Sequence, residues 1–266
     1  MKRFGLLAVA AMSLFVARPA VADTWDQFGG GAGSTDSGPW STNELVHGSS
    51  QFHDLDPANS GLTNDEDWYF ISLKPYSSYE VIVDGTTPYI NRATPVSLTL
   101  VQSDGTVDTT DYAASSRGFT RSLRLGNNTA TVNDDRWVRM FSGDCGASCL
   151  PVDTYQIFAQ ETTLLAPRYN NSGTQITILV VQNPTGSSVS GMAHFFNAAG
   201  ALVTSSSLSI PANGAVVLNT STVAPASSGS IVITNNAPYG ALAGKAVALE
   251  PSTGFTFDTT LVPRFQ

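Results

Sequence analysis

The sequence predicts an all-β protein: two consecutive β-sandwich domains, the first jelly-roll-like and the second immunoglobulin-like, behind a cleaved signal peptide. Three observations carry this prediction. Short apolar runs alternate with a period of two along nearly the whole chain, and each is bounded by Gly, Asn, Asp or Pro. No window of helical length holds a 3.6-residue apolar period. Composition agrees, with 23 Gly and 14 Pro among 266 residues and charged residues at 13%, against the ~25% usual for soluble domains. Thirteen basic against 21 acidic residues exclude the concentrated basic face that nucleic-acid binding requires.

Residues 1–22 have the form of a signal peptide. Lys2 and Arg3 precede an apolar stretch from Phe4 to Val16, and Ala20-Val21-Ala22 supplies a small-x-small cleavage site. The apolar stretch is shorter than the ~20 residues that span a bilayer, so cleavage rather than anchoring is expected. No later run is long and apolar enough to be a transmembrane segment. The expected location is therefore outside the cytoplasm: secreted, periplasmic or at the cell surface of a bacterium. Residues 23–43 follow as a Gly/Ser-rich leader that buries too little apolar surface to fold by itself.

The first sandwich is expected over 44–163. Tyr69, Ile71 and Leu73 fall on one face of a strand over 67–73, and Tyr79, Val81 and Val83 repeat the pattern. Further strands are expected over 97–102, 119–125, 136–141 and 154–159. The boundary is placed at 162–167, where composition shifts: residues 23–163 carry 19 acids and 7 bases, and residues 164–266 carry 2 and 3. That contrast suggests that the halves present separate surfaces. In 164–266 seven strands are expected, over 175–182, 191–197, 201–210, 215–219, 230–234, 242–250 and 255–261, the count of an immunoglobulin-like sandwich.

Few residues point to chemistry. Cys145 and Cys149 enclose three residues, and in an oxidising compartment the pair is expected to close as a local disulfide. No Gly-x-Ser-x-Gly elbow and no His-Glu-x-x-His occurs. His194 lies in an apolar strand, where a catalytic triad competes with an ordinary strand histidine. Asp54, Asp56, Asp65 and Asp67 crowd one acidic segment with Asn64 and Glu66, and calcium, which takes six to eight oxygens, would relieve their repulsion. The competing reading is a solvated acidic loop. Trp25, Trp40, Tyr76 and Tyr89 lie outside the strand cores, either as a binding face or packed over turns.

Asp65-Glu66-Asp67-Trp68-Tyr69-Phe70-Ile71-Ser72-Leu73, with Tyr79-Glu80-Val81-Ile82-Val83, Leu98-Thr99-Leu100 before Asp104-Gly105, and Tyr155-Gln156-Ile157, resembles the bacterial pre-peptidase C-terminal domain over about 44–160. The resemblance implies a jelly-roll-like module without catalytic residues, appended to exported enzymes, some members of which bind calcium or insoluble substrates. The half from 164 looks like immunoglobulin-like domains of bacterial exported proteins. The expected function is that of an exported, non-catalytic binding, accessory or structural protein. It would require no cofactor, calcium aside, and its partner would be an extracellular or envelope protein or a polysaccharide. The alternatives are a small exported hydrolase and a surface-assembly or adhesion subunit.

Overall fold

Tyr69, Ile71 and Leu73 do point to one side, and they meet Tyr79, Val81 and Val83 from a facing sheet to make the first interior. A computed structural model describes residues 41–54, 66–84, 96–101, 106–112, 121–132, 134–142 and 154–264. Eight strands build the first half: β1 (Ser50–Asp54), β2 (Glu66–Leu73), β3 (Ser77–Asp84), β4 (Val96–Val101), β5 (Val107–Tyr112), β6 (Arg121–Asn127), β7 (Asp134–Ser142) and β8 (Thr154–Glu161). They form two four-stranded sheets, β1-β8-β3-β6 and β2-β7-β4-β5, whose paired strands all run antiparallel. Val81, Val83, Val138 and Ile157 are sealed between them, as inward alternation on two facing sheets requires.

Nine strands follow: β9 (Leu164–Asn170), β10 (Ile176–Asn183), β11 (Val189–Asn197), β12 (Leu202–Ile210), β13 (Gly214–Asn219), β14 (Ser228–Asn235), β15 (Ala243–Glu250), β16 (Phe255–Thr260) and β17 (Val262–Pro263). A single 3-10 turn, Thr220–Thr222, is the one helical element among the described residues of this half. The sheets are β13-β10-β15-β16 and β12-β11-β14-β9-β17. A second, separate interior lies between them, built on Leu179, Val181, Phe195, Ile231 and Ile233. The molecule is thus an all-β protein of layered antiparallel sheets.

The strand count in the second half exceeds the seven expected. The additional strands are β9, which occupies the segment read as a boundary, and the two-residue β17. Pro167 does not break β9 because Ile231 faces Ala166 and Gly229 faces Tyr169, which places Pro167 in a bulge where no ladder amide is needed. In the first half, β1 and β5 are likewise additional.

Only Thr162 and Thr163 separate β8 from β9, and both are buried. The charge contrast between the halves does not keep them apart. The turn at 74–76 and Asn128 rest on the outward face of the five-stranded sheet, where Tyr76 meets the rings of His194 and Phe196 at 4.8 and 5.2 Å. This contact explains why β14 is buried on both faces from Ile231 to Asn235.

Candidate functional site at the seam between the sandwiches

The seam is built from small polar side chains. Ser78 Oγ accepts from the Thr162 hydroxyl at 2.9 Å and from the Asn235 amide N–H at 3.0 Å. The Ser78 N–H donates to Thr163 Oγ1 at 2.9 Å, and Asn235 Nδ2 donates to the Thr162 carbonyl at 2.8 Å. Every one of these residues is buried. Such a network is stable only when each member is satisfied, and here the partners interlock. Charged groups frame it: Glu80 accepts from the Tyr239 N–H at 2.6 Å and pairs with Arg124 at 2.5 Å. Arg264 pairs with Glu161 at 2.6 Å.

His194 lies within this seam, on the outward side of β11. Ser205 faces it across the β11–β12 register, and its hydroxyl lies 2.9 Å from His194 Nδ1. His194 Nε2 lies 3.4 Å from Asn128 Oδ1, which also accepts from the Thr234 hydroxyl at 2.6 Å. An amide oxygen only accepts, so the arrangement fixes the proton on Nε2 and leaves Nδ1 to accept from Ser205. Burial pulls the imidazole down to about 4. The histidine of the triad reading therefore touches a serine, but its other nitrogen faces an amide instead of a carboxylate. A base this weak has little driving force to take a hydroxyl proton near neutral pH.

The depressed value has a consequence for stability. The folded imidazole titrates near 4 and an unfolded one near 6.5, so between these values the unfolded chain binds the extra proton. Stability contributed by neutral His194 is complete above pH 6.5 and is lost as pH falls towards 4. The loss is at most about 3 kcal/mol and is reduced by the water that reaches exposed Ser205. His194→Asn is expected to flatten this part of the profile of melting midpoint against pH. Parallel profiles for wild type and variant between pH 4 and 6.5 would contradict it.

A second polar cluster lies inside the first sandwich. Asp67 and Tyr69 point inward from β2, and Tyr155 points inward from β8. The Tyr155 hydroxyl donates to Asp67 Oδ2, and the Tyr69 hydroxyl lies 2.5 Å from that of Tyr155, so the two phenols and the carboxylate form one chain. His53 stacks on Tyr155 at 5.7 Å and meets Tyr69 edge-on at 5.1 Å. Burial, then the Asp67 carboxylate, hold the Tyr155 phenol well above its ordinary range.

The residues singled out from sequence thus have these places. Asp67 is fully buried against Tyr155 and lies away from the surface. Asp54 ends β1, while Asp56 and Asp65 lie outside the described residues. Among the described residues no three His, Cys, Asp or Glu side chains converge as a metal group would require. Tyr76 is packed into the seam, with φ of +52°, and its carbonyl accepts from Arg264 at 3.1 Å. Trp25, Trp40, Tyr89, Cys145 and Cys149 lie outside the described residues. Asn128, Ser78 and Asn235 were not legible as site residues, because nothing local marks a turn asparagine or a strand serine as an interface group.

Comparison with known proteins adds little to this geometry. No protein-family model matches the chain, and no curated protein matches it. Among solved structures, a Bacteroides uniformis beta-glucuronidase 2 covalently bound to cyclophellitol-6-carboxylate aziridine aligns over 90% of this chain and 31% of its own, at 10% identity and a TM-score of 0.23. A second Bacteroides uniformis beta-glucuronidase aligns over 84% and 33%, at 9% identity and 0.22. A beta-glucuronidase from glycoside hydrolase family 2 aligns over 82% and 25%, at 12% identity and 0.19. The chain spans about a third or less of the length of these proteins. At such scores the likeness carries no argument about activity. No helix among the described residues is long and apolar enough to cross a membrane.

Proposed function

We propose that the chain is an exported binding or accessory protein that acts outside the cytoplasm without catalysing a reaction, and that it engages an envelope protein or a polysaccharide. The observation that carries this reading is the use made of His194. Its two nitrogens are committed to Ser205 and Asn128 within the contact between the sandwiches, and burial leaves it weakly basic. The resemblance of 44–160 to pre-peptidase C-terminal domains, which serve as accessory modules, supports it. No cofactor is required, and calcium on the acidic segment around Asp54, Asp56, Asp65 and Asp67 would raise the melting midpoint in a way that EDTA reverses.

The test is a pair of measurements on the mature chain. Pull-down against envelope polysaccharides and exported proteins is expected to retain a partner. A fluorophosphonate probe for serine hydrolases is expected to leave the protein unlabelled. Labelling that disappears in Ser205→Ala would overturn the proposal and favour an exported hydrolase.

A further inference from the structure

Edge strands in soluble proteins usually carry a device against pairing with a neighbour: a proline, a lysine, a bulge or extreme shortness. Strand β17 is two residues long and contains Pro263, and β12 meets β11 across a register shift. Strand β16 has no proline, lysine or bulge, and its one charge, Asp258, is paired with Lys245 of β15. Its sequence Phe-Thr-Phe-Asp-Thr-Thr pairs with β15 without interruption from Glu250↔Phe255 to Lys245↔Thr260, and among the described residues nothing pairs with its other side.

The face of β16 is equally unguarded. Phe255, Phe257 and Thr259 lie opposite Glu250, Ala248 and Ala246, and Ala246 is buried in the core. Both phenylalanines therefore belong to the inner side of the sheet, yet Phe255 is 70% and Phe257 58% exposed. The covering sheet stops short, because β17 pairs with β9 only at Leu164 and Leu165. Beyond that point a groove of about 220 Å³ opens between β9 and the β15–β16 hairpin, with Tyr169, Thr177, Ala248 and the two phenylalanines in its walls.

We propose that β16 is the surface through which two copies of this chain associate. The strands would pair antiparallel about a two-fold axis and merge two four-stranded sheets into one of eight strands. Centred on Phe257, this register sets Phe257 against its symmetry mate, Phe255 against Thr259 and Thr256 against Asp258. The axis stands perpendicular to the sheet, so all four phenylalanines fall on the same side and close the two grooves over one apolar floor.

Charge favours a second copy as the occupant. Asp258 is neutralised by Lys245 at 2.8 Å, and the groove holds one cation, Arg168, and one anion, Glu250. Residues 164–266 carry three bases and two acids, so the acidic surplus of the chain stays in the other half. Two near-neutral faces can then meet without mutual repulsion. Four exposed phenylalanines supply roughly 500 Å². With the strand backbones this falls below the standard size of a permanent interface, as for a weak, reversible dimer.

Sedimentation equilibrium of the full chain from about 1 to about 300 µM tests this, a range that brackets micromolar dissociation. The mass is expected to rise towards twice that of one chain. Phe257→Lys is expected to hold it at one chain with the melting midpoint unchanged, since the side chain is already exposed. Val217→Lys, on the exposed face of β13 at the far end of the same sheet, is expected to leave the dimer intact. A single-chain mass throughout the range overturns the proposal, and so does a dimer that survives Phe257→Lys. If Phe257→Lys lowers the midpoint, amide exchange on the wild type decides: protection of 255–260 must rise with concentration, and protection independent of concentration overturns the proposal.

Discussion

Arg264→Ala is expected to cost about 3 to 5 kcal/mol of unfolding free energy. Glu161, its partner at 2.6 Å, is almost wholly buried. Removing the guanidinium would leave that carboxylate desolvated and unpaired, the costly way to break a buried pair. The same guanidinium donates through Nη1 to the carbonyls of Pro75 and Tyr76, each at 3.1 Å, and these acceptors would lose their donor as well. Urea unfolding followed by intrinsic fluorescence measures the loss. Arg264→Lys should recover only part of it, because an ammonium is a point charge and cannot reach a carboxylate and two carbonyls at once. Because this side chain ties the end of β17 to the first sandwich, the alanine variant is also expected to separate the unfolding of the two halves. A loss below about 1 kcal/mol, the value typical of an exposed pair, would show that Glu161 is solvated in solution.

The second large effect is expected at Gly229. A Cβ there would stand 1.9 Å from the Phe196 carbonyl oxygen and 2.7 and 2.9 Å from backbone carbons of Asn197. These contacts are backbone, so no rotamer change relieves them, and β11 and β14 would have to separate. The φ of +157° adds to the strain on any residue with a side chain. Gly229→Ala is expected to destabilise by more than about 3 kcal/mol, among the largest single-substitution effects. Gly186→Ala is the control: a Cβ there meets nothing within 4 Å, and its cost should stay within about 0.5 kcal/mol. Equal midpoints for the two variants would contradict the close approach of the strands.

The interiors were legible because alternation is a local signal. Tyr69, Ile71 and Leu73, or Tyr79, Val81 and Val83, declare their inward face within five residues. Edge strands were less legible. β1 reads Ser-Gln-Phe-His-Asp and β5 Val-Asp-Thr-Thr-Asp-Tyr, and neither has an apolar face to announce it. β9 was hidden by Pro167, which is compatible with a strand only because it sits in a bulge of β9 itself, where it is freed from pairing. The seam was not legible at all. Ser78 and Asn235 meet across 157 residues, and His194 and Asn128 across 66. Serine and asparagine carry the same local signature in a turn as in a buried network, so only the folded chain distinguishes them. Asp67 shows the same limit, since its partner Tyr155 is 88 residues away and the neighbouring acids point to a wet loop instead.

The Arg264 N–H donates to the Thr163 carbonyl at 3.0 Å, so residues 164–263 leave the first sandwich and return to the same spot. Such an arrangement is modular in a strict geometric sense. The second sandwich thus has adjacent entry and exit points, the geometry that lets a domain be inserted in a surface loop without stretching either body. The same adjacency suits circular permutation of the second sandwich: joining 264 back to 164 by a short linker and opening a tip such as 251–254 reorders its strands and keeps the same sheets.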